Sequence, residues 1–291
     1  MPATLPRAIY HGLILLCAML ALSACTRLDL AYRNLDVIIP WSLDDYLDLN
    51  REQKGWFNDR LAERLNWHCT TQLPNNLALL EKIRQMVADN QVTDERLQAL
   101  TTEAKAAIAQ VAEAVTPSAV ELLQGLDDNQ VRAMRQAFSE ELAERRKTYV
   151  EPPLDQQISE RARRMEKRLN PWFDKLSDAQ KARVMAWSQA LGEQNRQRFD
   201  NREHWQKLFL AAVEQRDAAD FPQRIAQLLQ QRERLWTPEY SAVYAHTEQA
   251  ARDLLVGLAA DSTPQQRQQI QEKLTELRQG FAKLKCLNGA T

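Results

Sequence analysis

The stretch "LDDNQVRAMRQAFSEELAERRKTYVEPP" (residues 126–153) decides the fold class. Asp127 follows an apolar residue and suits an N-cap, and Gln130, three positions on, can reach back to the cap's own N–H. Val131, Met134, Phe138 and Leu142 then recur at helical steps and make one apolar stripe. The run "EELAERRK" from Glu140 mixes signs at the spacing of intrahelical pairs, as a solvated face does. Pro152 and Pro153 close the segment, because proline continues a helix badly.

The same grammar extends in both directions. "LNREQ" at Leu49, "VTDER" at Val92, "LSDAQ" at Leu176 and "STPQQ" at Ser262 repeat the cap and the polar residue three places later. Their spacing is irregular, so the chain is no solenoid. Further helices are expected over residues 77–89, 94–114, 128–149, 154–169, 178–199, 203–215, 221–235, 240–258 and 265–284, with breaks at Pro74, Pro117, Pro171, Pro222, Pro238 and Pro264. With only 7 Gly, and without the apolar alternation of strands, the 291 residues read as all-α. The expected architecture is an irregular multi-helix bundle over residues 40–291, with a hinge candidate at 151–153. Charges of 38 basic and 39 acidic residues nearly cancel, so no global field draws in nucleic acid.

The amino terminus has a different character. Arg7 precedes an apolar run from Gly12 to Leu22, and "LSAC" ends at Cys25. Eleven apolar residues fall short of the roughly twenty that span a bilayer. The segment resembles a bacterial lipoprotein signal with its lipobox, which implies cleavage after residue 24 and acylation of Cys25. Thr26 in place of Asp implies, by the same resemblance, sorting to the outer membrane. Residues 25–39 have no clear period and are expected as a tether or extended segment. Ser42 with Asp45, and then Asn50 with Gln53, are expected as two successive helix starts; Trp56, Phe57, Leu61 and Leu65 follow at core spacing.

Cys17 would leave with the signal and Cys25 would carry lipid, so Cys69 and Cys286 are the pair open to a disulfide in an oxidising compartment; two separate buried thiols are the alternative. No nucleophile elbow, phosphate loop, haem site or metal spacing occurs, and His68, His204 and His246 stand apart. No cofactor, metal ligand or catalytic residue is assigned. Asp44 and Asp48, four apart beside Trp41, are the one carboxylate pair suited to a glycan hydrolase; the first turn of a capped helix equally favours acidic residues. In "ERARRMEKR" from Glu160, Arg161, Arg164 and Arg168 could form a basic face for an acidic partner or a lipid headgroup.

From "CTRLDLAYRNLD" through "PWSLDDYLDL" to "NWHCTTQLP", the chain resembles a proteobacterial family of helical lipoproteins of unknown function. Tyr32, Asn34, Trp41, Asp44, Asp45, Tyr46, Gln53, Trp67, His68, Leu73 and Pro74 carry that resemblance. Cys69 departs from it, standing where the family pattern is basic. The recurring caps are more distantly similar to the L-T-x-x-Q motif of small periplasmic stress chaperones. The expected function is a non-enzymatic binding or adapter module, anchored by lipid to the outer membrane, with an envelope protein as partner. Trp41, Asp44, Asp45, Tyr46, Asp48 and Trp56 are the candidate interaction patch. Chaperone-like binding of envelope proteins and a glycan hydrolase using Asp44 and Asp48 are the alternatives.

Overall fold

The computed structural model describes residues 26–287, so the signal segment and Cys25 lie outside the described residues. Among the described residues the structure is helical throughout, with no strand. The helices are α1 (Thr26–Arg33), α2 (Leu35–Asp44), α3 (Arg51–Trp67), α4 (Leu73–Ala88), α5 (Asp94–Gln124), α6 (Asp128–Tyr149), α7 (Leu154–Phe173), α8 (Asp178–Ala190), α9 (Gln194–Glu214), α10 (Phe221–Gln230), α11 (Pro238–Ala260) and α12 (Pro264–Ala282). A π-turn, His68–Gln72, joins α3 to α4, and 3-10 turns follow α10 and α12. By length and composition α5 is apolar enough to cross a membrane, yet it packs on α10 and α11.

Four of the recurring caps close as reciprocal boxes, at Asn50–Gln53, Asp127–Gln130, Ser177–Gln180 and Thr263–Gln266. Thr93 caps α5 without reciprocity. The box glutamines also pair with one another. Gln53 Nε2 donates to Gln130 Oε1 at 3.1 Å and Gln130 Nε2 donates to Gln53 Oε1 at 2.7 Å. Gln180 and Gln266 repeat the exchange at 3.1 and 3.0 Å, with Gln180 fully buried. Each pair is also tied to backbone, through Gly125 and Asp48 in the first and Lys175 in the second. Two amide clasps therefore hold the starts of α3 and α6, and of α8 and α12, side by side. A buried amide is tolerated when both its ends are bonded, and here they are.

The largest core draws on Leu47, Leu49, Leu122, Leu126, Val131 and Met134 together with Phe209, Val213, Phe221, Ile225 and Leu228. Residues on both sides of the double proline thus share one core, and residues 151–153 do not divide the molecule into two halves. A second core, around Ala162, Leu169, Leu176, Val184 and Leu258, joins α7, α8 and α11. A third surrounds a disulfide between Cys69 and Cys286, whose Cα atoms lie 6.1 Å apart, with Leu73, Leu277, Phe281 and Leu284.

Several expectations are corrected. Residues 26–33 and 35–39 are helical, with a turn at Asn34, not an extended tether, and Ser42 lies inside α2, which ends with Asp45 as C-cap. Asn50 does start the next helix. Proline stands inside α2 (Pro40), α5 (Pro117) and α7 (Pro171). In each case the residue four back, whose carbonyl loses its partner, is exposed: Asp36, Glu113 and Lys167. Water can satisfy those carbonyls, so the helix continues. Conversely the helix expected over 178–199 breaks after Ala190, where Gly192 adopts φ +46°.

Candidate functional site

The break between α8 and α9 builds the site. Around it lies a cleft of about 630 Å3, lined by α6, α7, α8, α9, α11 and the segment leading into α11. Seven arginines line it: Arg145, Arg161, Arg164, Arg168, Arg198, Arg202 and Arg232. Glu141 is the one carboxylate in the lining. The aromatic lining is Tyr46, Phe138, Tyr149, Trp187, Phe199, Trp205, Trp236 and Tyr240. Ligand clefts of this size take small molecules or headgroups.

Arg161 is 6% exposed and has no carboxylate partner among the described residues. Its Nη1 donates to Ser188 O at 2.8 Å, and its Nη2 donates to Gly192 O at 2.9 Å and to Asn195 Oδ1. It therefore caps the end of α8, where the backbone dipole favours a cation. Burial, with Arg164 and Arg198 nearby, holds its guanidinium below the usual arginine value. It is nonetheless charged at neutral pH.

Glu141 anchors the opposite side. It accepts from Arg145 Nε at 2.7 Å, from Gln206 Nε2 at 2.9 Å and from Arg202. Burial pushes its carboxyl up, but the bonds from Arg202 and Arg145 outweigh this and hold it below the usual carboxylate value. Burial and then the Glu141 charge push the Tyr46 hydroxyl up. Arg232 lies 5.2 Å from the ring of Trp205, which stacks on Phe209, and Arg164 lies 5.3 Å from the ring of Tyr149. Among the described residues no ion pair reaches Arg168 or Arg198.

Four buried polar atoms of the lining have no hydrogen-bond partner among the described residues: Arg161 Nε, Arg202 Nε, Trp187 Nε1 and Gln206 Oε1. Three are donors. The amide of Gln206 is oriented by its bond to Glu141, so its oxygen is left as the acceptor. Each of these atoms is enclosed by the protein, so none of the four is itself open to the cleft.

The sequence-derived patch divides three ways. Trp41 is 70% exposed, and Asp44, Asp45 and Asp48 lie on the surface, with Lys54 3.2 Å from Asp44. Tyr46 turns into the cleft, edge-on to Phe138. Trp56 packs against the main core. Asp44 and Asp48 are both exposed on the surface and do not line the cleft. Of the basic face, Arg161, Arg164 and Arg168 do come together in the cleft. Arg145, Arg198, Arg202, Arg232, Trp187 and Trp236 were not assigned from the sequence: Arg145 sits in a run that reads as a solvated face, Arg198 and Arg202 share α9, and the others come from α8 and the segment before α11. His68 bonds to Tyr32 Oη at 2.9 Å, and burial lowers its pKa. No group of three metal-ligating side chains occurs among the described residues.

A family model described as a family of unknown function, DUF6279, matches residues 45–241. That is more than half of the chain, and the chain belongs to this family. The match takes in the cleft lining except Thr247; it leaves Tyr32, Asn34, Trp41 and Asp44 before it and Cys286 after it. No curated protein and no solved structure matches the chain.

Proposed function

We propose that this member of the DUF6279 family is a non-enzymatic binding module that takes an anionic ligand in the arginine-lined cleft. It is anchored through lipid on Cys25 to the outer membrane, facing the periplasm, and its partner there is an envelope component bearing carboxylate or phosphate groups. The lipobox-like "LSAC" supports the address. The observation that carries the function is the excess of seven guanidinium groups over one carboxylate around a single cleft. Crowded like charges repel, and the arrangement is relieved when an anion enters. Arg168 and Arg198, which no ion pair reaches among the described residues, are the guanidinium groups left to meet it.

Chaperone-like binding would call for a concave apolar face, whereas this cleft is charged. Four of the five caps that resemble the stress-chaperone motif are accounted for by the two clasps. The test is calorimetric titration of the full chain with inorganic pyrophosphate and, separately, with tetraglutamate. Saturable binding that weakens with added salt, and that falls about tenfold or more in Arg198→Glu, is expected from loss of a phosphate or carboxylate contact in a confined site. If neither anion saturates, or if Arg198→Glu binds as the parent does, the proposal fails.

A further inference from the structure

Of the ten residues of α2, six are apolar (Leu35, Val37, Ile38, Ile39, Trp41 and Leu43), yet none of the ten is buried. Helices of that composition ordinarily cover a core. The partly covered side is accounted for: Tyr32 of α1 packs on the third core, edge-on to Phe281, and Leu43 rests on the first. The other side carries Leu30, Val37, Ile38 and Trp41 with 57%, 63%, 39% and 70% of their surface open. Within α2, Val37, Ile38 and Trp41 stand at steps of three and four and share one stripe, and Leu30 is the exposed apolar residue of α1 just before the turn at Asn34.

What precedes the stripe identifies its occupant. Cys25 lies five residues before Leu30, and the apolar run Gly12 to Leu22 lies just before that. Residue 25 immediately precedes α1, which begins at Thr26, and with a rise of 1.5 Å per helical residue Leu30 stands about 6 Å along it, while Trp41 stands about 6 Å beyond Val37 in α2. Tryptophan settles at the level of lipid headgroups. Beyond Trp41 the surface changes sign of character at exposed Asp44, Asp45 and Asp48, which belong in water. We infer that the Leu30, Val37, Ile38 and Trp41 face of α1 and α2 lies on the lipid surface, as an interfacial helix pair beside the anchor. This rests on the anchoring reading above, and an interfacial face supplies the second signal that steadies an acylated chain.

The full chain, extracted from membranes, is weighed intact to read acylation at Cys25, and is then placed in nanodiscs of phosphatidylethanolamine and phosphatidylglycerol with brominated acyl chains. Trp41 emission is isolated by subtracting the Trp41→Phe variant. An interfacial tryptophan should lose about half of its emission or more to the bromines. Val37→Asp, an exposed position, should abolish that quenching while the circular dichroism is unchanged. Unquenched Trp41 in a chain whose mass shows the lipid overturns the inference and leaves the anchor standing. Quenched Trp41 in a chain without lipid supports the surface and overturns the anchor. Trp41 shielded only in nanodiscs holding two copies, without bromine contact, overturns it in favour of a second copy.

Discussion

Replacing Gln180 with Ala tests whether the clasps are structural. Gln180 is fully buried, accepts from Ser177 N at 2.9 Å, and exchanges two bonds with Gln266. The substitution leaves the Ser177 N–H without its return partner, about 1 kcal/mol for a lost cap. It removes both bonds to Gln266, about 1 kcal/mol each. It also opens a cavity of a few heavy atoms, about 1 kcal/mol after partial collapse. The expected loss is about 3–4 kcal/mol. Gln266 keeps Thr263 N and Lys175 O, so the two substitutions overlap. The double variant Gln180→Ala/Gln266→Ala should then fall short of the sum of the single losses by about 1–2 kcal/mol. Equilibrium unfolding in guanidinium with the disulfide intact measures this, and Gln268→Ala, on the exposed face of α12, is the control expected within about 0.5 kcal/mol of the parent. A Gln180→Ala loss under about 1 kcal/mol, or strict additivity, refutes the reasoning.

Reducing the Cys69–Cys286 bond, which links residues 217 apart, should destabilise by at most about 5 kcal/mol in the chain-entropy account, read as a shift of the unfolding midpoint with and without reductant. Gly192→Ala should cost about 1 kcal/mol from the φ +46° backbone alone, because no atom lies within 4 Å of the added methyl; the same unfolding assay reports it. The Glu141 carboxyl is held below its unfolded value, so its stabilisation is present above the ordinary range near pH 4.5 and is lost as pH falls through the folded value. Stability measured from pH 6 to pH 3 should therefore fall less in Glu141→Gln than in the parent.

The helices were legible because their signals are local. A cap, a glutamine three places on and an apolar stripe all sit within one segment, as at Asp127, Gln130 and Val131. The pairing of Gln53 with Gln130, or of Gln180 with Gln266, was not legible, because a box glutamine looks the same whether its amide meets water or another box. Proline misled at Pro40, Pro117 and Pro171, since its penalty depends on whether the orphaned carbonyl is wet, a property of the packed molecule. The cleft was half visible. Arg161, Arg164 and Arg168 share a helix and could be seen as one face, but Arg198 and Arg202 arrive by the turn at Gly192, a lone glycine within a segment otherwise read as continuous helix, and Arg145 and Arg232 come from α6 and the segment before α11.

The covalent link from Cys69 to Cys286 also decides how the molecule carries load. For a force applied between the amino-terminal segment and the carboxyl end, only the residues before Cys69 and after Cys286 can be drawn out, and everything between is shielded by the bond. The leash that can pay out from residue 26 is about 150 Å long, against about 900 Å for the whole described chain once the bond is cut. Because α1 rests on α12 through Tyr32 and Arg33, even that short leash must first be peeled from the last helix. A tug at the amino terminus is thus delivered to the end of the chain, and of the cleft lining only Tyr46 lies on the leash.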